Sequence, residues 1–322
     1  AGAQHKTPMP NLVPFSLSLW SGIYNVIFAL RAGAPVVLME RFETAAFADL
    51  VGRFEITSTV LAPAMLAMLL DDPAITSLAP LRFVRSITAP LSPHNARRFR
   101  ERFGVTVLNS YGQTELGGEV IGWNAADARA FADTKLGALG RPHSGVDVRV
   151  IDPVGAPVPS GKSGESGEPP IVGELCIRSA SMSLQELAPD RLTADGYLRT
   201  GDIGSVDKDG FVWIEGRVSD MINRGGLKGT PADVEEVIRW HPDVSDACVV
   251  GVPDARLGEV PVAFVVTSRS DESVFAPELT ALCREHLAPY KVPVRFRVLD
   301  ALPRNEVGKV LRRTLAEMGS RP

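Results

Sequence analysis

Cysteine is scarce: Cys176, Cys248 and Cys283 are the only three in 322 residues, far apart and odd in number. That pattern argues against a disulfide framework or a cysteine metal site. Each sits among apolar residues, as in "ELCIRS" and "DACVVG". The expectation is three buried, reduced thiols in a cytoplasmic protein. Blocks of like charge are also missing, and 34 basic against 38 acidic residues leave a net charge of −4. A dedicated nucleic-acid surface is therefore not expected. Residues 11–30 carry no charge and approach the roughly 20 residues of a membrane span. Pro14, Ser16, Ser18, Ser21, Gly22 and Asn25 interrupt them, so a buried segment or pocket wall is expected instead of a transmembrane helix. The opening "AGAQHKTPMP" has no signal-peptide pattern and no initiator methionine. The expectation is that upstream sequence is missing. There is no internal repeat.

What is present is ordinary for a globular chain, at 45% hydrophobic and 22% charged residues. The length suggests two domains at about 150 residues each. In residues 34–110 apolar strand-like runs alternate with helical patterns. "APVVLM", "TSTVLAP", "LRFVRSIT" and "VTVLNSYG" read as strands. "TAAFADLVGRF", with Thr44 as candidate cap, "PAMLAMLLDD" and "SPHNARRFRERFG", closed by Gly104, read as helices. That alternation predicts a parallel sheet with helical crossovers. After about residue 136, "DVRVID", "GELCIRS" and "GFVWIEG" read as short strands of a small antiparallel sheet or barrel. The intervening "PVGAPVPSGKSGESGEPP" reads as an exposed loop. Its "GKS" lacks the earlier glycine of a phosphate loop, which would fall at Ala156. From about residue 221, helical "PADVEEVIRWHP", strands "VSDACVVGVP" and "VPVAFVVT", and a closing helix "KVLRRTLAEM" predict a compact α+β unit.

Three stretches carry possible chemistry. "NSYGQTE", residues 109–115, follows a predicted strand, and strand ends of open α/β sheets are where ligands bind. Tyr111 can stack on a base, Thr114 can bind a phosphate and Glu115 can hold Mg²⁺. A plain polar turn accounts for the same residues equally well. In residues 196–222, Asp202 suits a ribose diol and Arg217 suits phosphate or ribose. Asp207, Asp209 and Gly210 read as a hairpin turn. In "LPRNEVGK", residues 302–309, Lys309 is on its own merits an ordinary surface lysine.

Taken together and in this order, the stretches resemble the adenylate-forming superfamily of acyl-CoA synthetases, adenylation domains and luciferases. "SITAPLSP" (residues 86–93) is similar to the family's adenine-contacting turn, and "SYGQTE" to its aromatic-Gly-x-Thr-Glu motif. "YLRTGD" and "GRVSDMI" are similar to the ribose motif and the interdomain hinge. "HPDVSDACVVGVPDARLGEVPVAFVV" and "YKVP" are similar to the C-terminal domain, and "LPRNEVGK" to the catalytic-lysine loop. The resemblance covers nearly the whole chain. It implies a partial large α/β domain, made of a sheet subdomain (1–135) and a β-barrel-like subdomain (136–217). A small mobile α+β domain (218–322) would follow.

The implied activity joins a carboxylic acid to CoA through an acyl-adenylate made from ATP. The site residues are carried over residue by residue. Lys309, Thr114 and Glu115 would be catalytic, with Glu115 also holding Mg²⁺. Thr88, Ala89, Pro90, Ser110, Tyr111, Gly112, Asp202 and Arg217 would bind the nucleotide. Gly225 and Gly226 would line the path of the thiol, although a tight turn explains the pair as well. Trp20, Tyr24 and Asn25 are candidate substrate contacts, with core packing as the alternative. A carrier protein is the alternative acceptor, and Gln113 favours CoA because amino-acid adenylation domains usually carry proline there. A non-catalytic nucleotide-binding module is the further alternative.

Some features depart from the family pattern. The Ser/Thr/Gly-rich phosphate loop is absent from these residues. The chain alone is therefore not expected to make acyl-adenylate at a normal rate, which a pyrophosphate-release assay checks. Ser219 stands where the hinge usually has Asp or Lys. Gly229 replaces an apolar residue and Asp233 replaces a Glu. "SMSLQELAPD" lacks the usual Gly-Tyr pair, and no His lies near Trp20.

Overall fold

The computed structural model describes residues 8–89, 91–158, 171–183, 187, 189–269, 272–305 and 308–320. They form two compact units. The first comprises residues 1–146 with 179–187, and the second comprises residues 147–178 with 188–322.

The first unit opens with a parallel pair, β1 (Asn11–Val13) and β2 (Val36–Leu38), connected by helix α1 (Trp20–Arg31). Helices α2 (Thr44–Arg53) and α3 (Pro63–Asp71) flank β3 (Ser58–Leu61). Then come β4 (Phe83–Ser86), α4 (Pro93–Phe103) and β5 (Thr106–Asn109). Strands β3, β4 and β5 make a parallel sheet in that order, the expected product of strand–helix alternation. Phe47, Val51, Leu66, Leu69, Val84, Ala96 and Phe99 fuse helices and sheet into one core. Helix α4 is delimited as its sequence predicts. The Ser92 hydroxyl accepts from the Asn95 amide, Pro93 starts the helix, and Gly104 ends it at φ 69°. Thr44, by contrast, is the first residue of α2 and caps nothing. Its hydroxyl donates to Asp72 Oδ2 at 2.5 Å, which ties α2 to the end of α3.

The expectation of a buried segment at 11–30 holds for β1 and fails for α1. Leu12 and Val13 are buried, but α1 turns inward only Gly22, Asn25 and Ala29. At its start α1 is pressed against the loop before it, where a Cβ on Gly22 would lie 2.2 Å from the Ser16 carbonyl oxygen. The small face packs, and Ile23, Ile27, Phe28 and Leu30 are left exposed among the described residues.

A second sheet of this unit is antiparallel, with order β6 (Tyr111–Gln113), β7 (Gly118–Gly122) and β8 (Arg141–Pro142). Helix α5 (Ala125–Phe131) lies between β7 and β8. Asn124 caps it by accepting from the amides of Ala126 and Asp127.

The second unit holds a five-stranded sheet built from β9 (Val146–Ile151), β10 (Pro157–Val158), β11 (Gly173–Ser179), β12 (Leu198–Val206) and β13 (Val212–Arg217). Its order is β10-β9-β11-β12-β13. The expected hairpin turn joins β12 to β13. Asp207 Oδ1 accepts from the amides of Asp209 and Phe211, and Gly210 sits at φ 80°. The "GKS" stretch lies outside the described residues.

The α+β layer contains β14 (Ile222–Arg224), β15 (Leu227–Gly229), α6 (Pro231–Arg239), β16 (Val244–Asp254) and β17 (Gly258–Thr267). It continues through α7 (Glu272–His286) and β18 (Arg295–Leu299) to α8 (Arg312–Gly319). Strand β18 runs parallel to β17, and the rest of the sheet is antiparallel. Alternate residues of β16 and β17 face opposite ways. Ala247, Val249, Ala263 and Val265 pack on α6 and α7. Cys248, Val250, Val252, Val262 and Phe264 pack with Leu315 of α8. Burial on both faces explains why these strands read as continuous apolar runs. All three cysteines are buried free thiols. Burial pushes Cys176 up to about 12 and Cys283 up to about 11. No helix among the described residues is long and apolar enough to cross a membrane.

Candidate active site

Two turns leave neighbouring parallel strands side by side. Ser86, at the end of β4, pairs with Asn109, at the end of β5. The Ser110 amide donates to the Ser86 carbonyl at 3.0 Å. The first turn therefore begins at Ile87, and at Ser110 the chain passes from β5 into β6, whose hairpin to β7 is the second turn. Both strand exits lie at the C-terminal edge of the sheet, where open α/β folds bind ligands.

The first turn is strained. Thr88 adopts φ 76°, a left-handed conformation that costs a β-branched residue on the order of 1–2 kcal/mol. Such strain persists where the surroundings impose it, and it clusters at ligand sites. Ala89 follows it, and Pro90 lies outside the described residues. Thr88→Gly is expected to raise stability by about 0.5–1 kcal/mol, because the relieved strain exceeds the added chain entropy of glycine. Nucleotide affinity should fall in the same variant. Urea denaturation together with AMP titration checks both.

The second turn joins β6 to β7. Tyr111 is buried, and its hydroxyl accepts from Gln113 Nε2 at 2.8 Å. Gly112 has a structural reason to be glycine, since a Cβ there would lie 2.0 Å from the Gly118 carbonyl oxygen across the hairpin. Thr114 is exposed and Glu115 half-buried, in a short 3-10 turn closed by Gly117 at φ 75°. The turn is fastened from behind: the Glu115 carbonyl accepts from the Ser183 amide, and the Leu116 carbonyl accepts from the Ser181 hydroxyl. Mg²⁺ uses one or two carboxylates and takes its other ligands from phosphate and water. A single Glu115 at a turn tip fits that demand, and no cluster of three acidic, His or Cys ligands exists among the described residues.

The three α1 candidates fare differently. The Tyr24 ring lies against Gly118, where a Cβ would be 3.1 Å from its edge, and Tyr24 therefore adjoins the second turn. Trp20 is exposed, with its ring 6.2 Å from that of Tyr24. Asn25 is buried, and its amide donates to the Ser21 carbonyl at 2.8 Å. That amide is thereby engaged within the helix, the core-packing alternative for Asn25.

In the second unit, Asp202 and Arg217 face each other on paired strands, with Arg217 Nε donating to Asp202 Oδ1 at 2.7 Å. Gly225 and Gly226 occupy the β14–β15 hairpin at φ 61° and 90°. Two successive positive φ values make the turn itself sufficient reason for both glycines. Gly229 lies against Tyr290 and Lys291, 3.4 Å from each for an added Cβ. Ser219 donates to its neighbour Asp220.

Lys309 stands at the base of a tight loop in which Arg304 and Val310 bridge. Its amide donates to Asn305 Oδ1, and its carbonyl accepts from the Asn305 amide. The ammonium is exposed and has no partner among the described residues. Two arginines clamp the loop. Arg304 donates to the Gly308 carbonyl at 2.5 Å and pairs with Asp246. Arg312 donates to the Val249 carbonyl and to Glu235 Oε1, each at 2.7 Å, and pairs with Asp220.

The sequence reading missed these clamps, and it also missed a polar cluster beneath the second turn. Glu119 of β7, directly across the ladder from Gly112, is paired with Arg85 Nη1 at 3.1 Å and His143 Nε2 at 3.2 Å. Burial pushes its carboxyl up. The His143 hydrogen bond, the Arg85 charge and a hydrogen bond from Ser110 together outweigh burial, and Glu119 titrates below the ordinary glutamate value. The available signals were a charged residue inside the strand "LRFVRSI" and a lone Glu in "GGEVIG".

The chain is similar to known proteins over most of its length. Residues 9–185 match the model of the AMP-binding enzyme family, and residues 233–309 match that of the AMP-binding enzyme C-terminal domain. A sulfoacetate–CoA ligase from Cupriavidus necator is 36% identical over 90% of this chain and 55% of its own length. A fatty acid–[acyl-carrier-protein] ligase from Streptomyces coeruleorubidus is 33% identical over 93% of this chain and 56% of its own. Among solved structures, the o-succinylbenzoate coenzyme A synthetase of Bacillus subtilis, in complex with ATP and magnesium, is 31% identical. It has a TM-score of 0.78 and covers 97% of this chain and 62% of the other. The chain thus spans a little over half the length of the curated relatives it matches. By these matches the chain belongs to the AMP-binding enzyme family.

Proposed function

We propose that the protein activates a carboxylic acid with ATP as an acyl-adenylate and transfers the acyl group to CoA. The observation that carries this reading is strained Thr88 just past the end of β4, beside Ser110 at the end of β5, with Thr114 and Glu115 on the β6–β7 turn that follows. Thr88, Ala89, Ser110 and Tyr111 would hold the adenine end, and Asp202, oriented by Arg217, would accept from the ribose diol. Glu115 would hold Mg²⁺, which supplies charge neutralisation at the phosphates when bound. Lys309 would bring one positive charge to the oxygens that gain negative charge as the carboxylate attacks phosphorus. Residues 218–322 would act as a separately moving domain, so that Lys309 serves the first step only. A cytoplasmic location suits the three buried thiols.

The names of the relatives keep two acceptors in view, CoA and an acyl carrier protein. The test is acid-dependent pyrophosphate release by the whole protein, followed by thioester formation with free CoA and, separately, with holo carrier protein. Thioester with free CoA supports the reading. Thioester with carrier protein alone moves the activity to carrier loading, and AMP binding without pyrophosphate release rejects enzymatic activation.

A further inference from the structure

The cluster of Arg85, Glu119 and His143 is placed and charged in a way that packing alone does not require. Strand β4 is the central strand of its sheet, and Val84 faces the helical core. Arg85 points to the opposite face by strand alternation, three residues before Thr88. Glu119 comes from β7 and His143 from just beyond β8, so three segments converge beneath the β6–β7 turn. The Glu119 side chain is only 14% exposed, whereas those of Arg85 and His143 are 35% and 43% exposed. The carboxylate is thus the buried anchor, and the two nitrogen-bearing groups look outward.

The way the anchor is used is informative. Both Glu119 oxygens approach the same guanidinium nitrogen, Nη1, at 3.1 and 3.4 Å. The Nε–Nη2 edge of Arg85, a two-donor fork that suits a carboxylate or sulfonate, has no partner among the described residues, and neither does His143 Nδ1. Gly122 keeps the arrangement open, because a Cβ there would lie 2.6 Å from Glu119 Oε1 and 3.0 Å from His143 Cε1. A pair that served only to join two sheets would have no use for an outward-facing fork.

We propose that Arg85 and His143, oriented by Glu119, form a subsite for a second acidic group on the acid to be activated. This rests on the activity proposed above and deepens it, because the substrate becomes a short acid with two acidic functions. The reacting carboxylate lies at the two turns, and the far acidic group is received by the Arg85 fork at their base. Tyr24, against Gly118, borders the same turn.

The test uses the whole enzyme with malonate, succinate and glutarate and the monomethyl ester of each. Pyrophosphate release gives kcat/KM, and calorimetry with AMP present gives binding. The wild type is expected to prefer its best diacid over the matching ester by about tenfold or more, the range of a charge-assisted hydrogen bond. Arg85→Met alone leaves the buried Glu119 without its cation, so the informative variant is Arg85→Met with Glu119→Gln. It should reduce the preference, read as the ratio of kcat/KM for diacid and ester in the same variant, to about twofold. Arg85→Lys, which keeps a cation for Glu119 but lacks the fork, should fall between the two. No preference in the wild type, or a preference that survives in the double variant, overturns the subsite. If neither diacids nor esters release pyrophosphate, the proposed activity fails, and calorimetry then decides the subsite. Tighter diacid binding that the double variant loses supports it, and equal binding of diacid and ester overturns it.

Discussion

On the proposed activity, Lys309→Ala is expected to lower acyl-adenylate formation by on the order of 10²–10³, the usual cost of removing one contact to developing charge. It should leave stability within about 0.5 kcal/mol, since the side chain is exposed and holds nothing. The loop keeps its shape without the ammonium, because the Asn305 bonds use the Lys309 backbone and the arginine clamps lie outside it. Thioester formation from supplied acyl-adenylate and CoA should change by less than about threefold, because an interaction used only in the first step costs nothing in the second. Both half-reactions are measured separately in the whole enzyme. Equal loss in the two steps would sink the assignment of Lys309 to adenylation.

Arg312→Leu costs about 3 kcal/mol of stability. Glu235 lies in α6 with its side chain 8% exposed, and Oε1 accepts both the Val249 amide and the Arg312 guanidinium. Arg239 stands further off, at 3.7 Å. Removing Arg312 strands a nearly buried carboxylate, and breaking such a pair is worth about 3–5 kcal/mol. Replacing both partners by apolar groups is far less harmful, so Glu235→Leu with Arg312→Leu should recover most of the loss. A double-mutant cycle by urea denaturation is expected to give a coupling of at least about 1.5 kcal/mol. A coupling below about 0.5 kcal/mol would refute the clamp. The adenylation rate should fall in the single variant as well, because Arg312 fixes the end of the loop that presents Lys309.

Much of this was legible in the residues themselves. Ser92, Pro93 and Gly104 announce the limits of α4, and the alternating strands and helices announce the parallel sheet of β3, β4 and β5. Asp207 and Gly210 announce their hairpin. Local rules govern these features, so local sequence suffices. The site was half legible. Ordered motifs pointed to Thr88, Tyr111, Glu115, Asp202, Arg217 and Lys309, but no motif shows that Thr88 is held at φ 76°. Nor does a motif show that Gly112 is required by the strand opposite, or that Asn25 turns inward. Arg85, Glu119 and His143 are 34 and 24 residues apart along the chain, and only the meeting of two sheets makes them neighbours. The α1 face misled for a related reason. Apolar composition suggested burial, whereas the helix turns only Gly22, Asn25 and Ala29 inward.

The three buried thiols have a practical consequence for following local opening of each layer. Cys248 faces α8, Cys283 lies in α7 on the other side of the same sheet, and Cys176 belongs to the five-stranded sheet. A buried, protonated thiol does not react with iodoacetamide until its layer opens. The alkylation rate of each cysteine, read by peptide mass spectrometry without any introduced label, is therefore a clock for one layer. If the helix that follows Lys309 detaches on its own, Cys248 will be labelled ahead of Cys283.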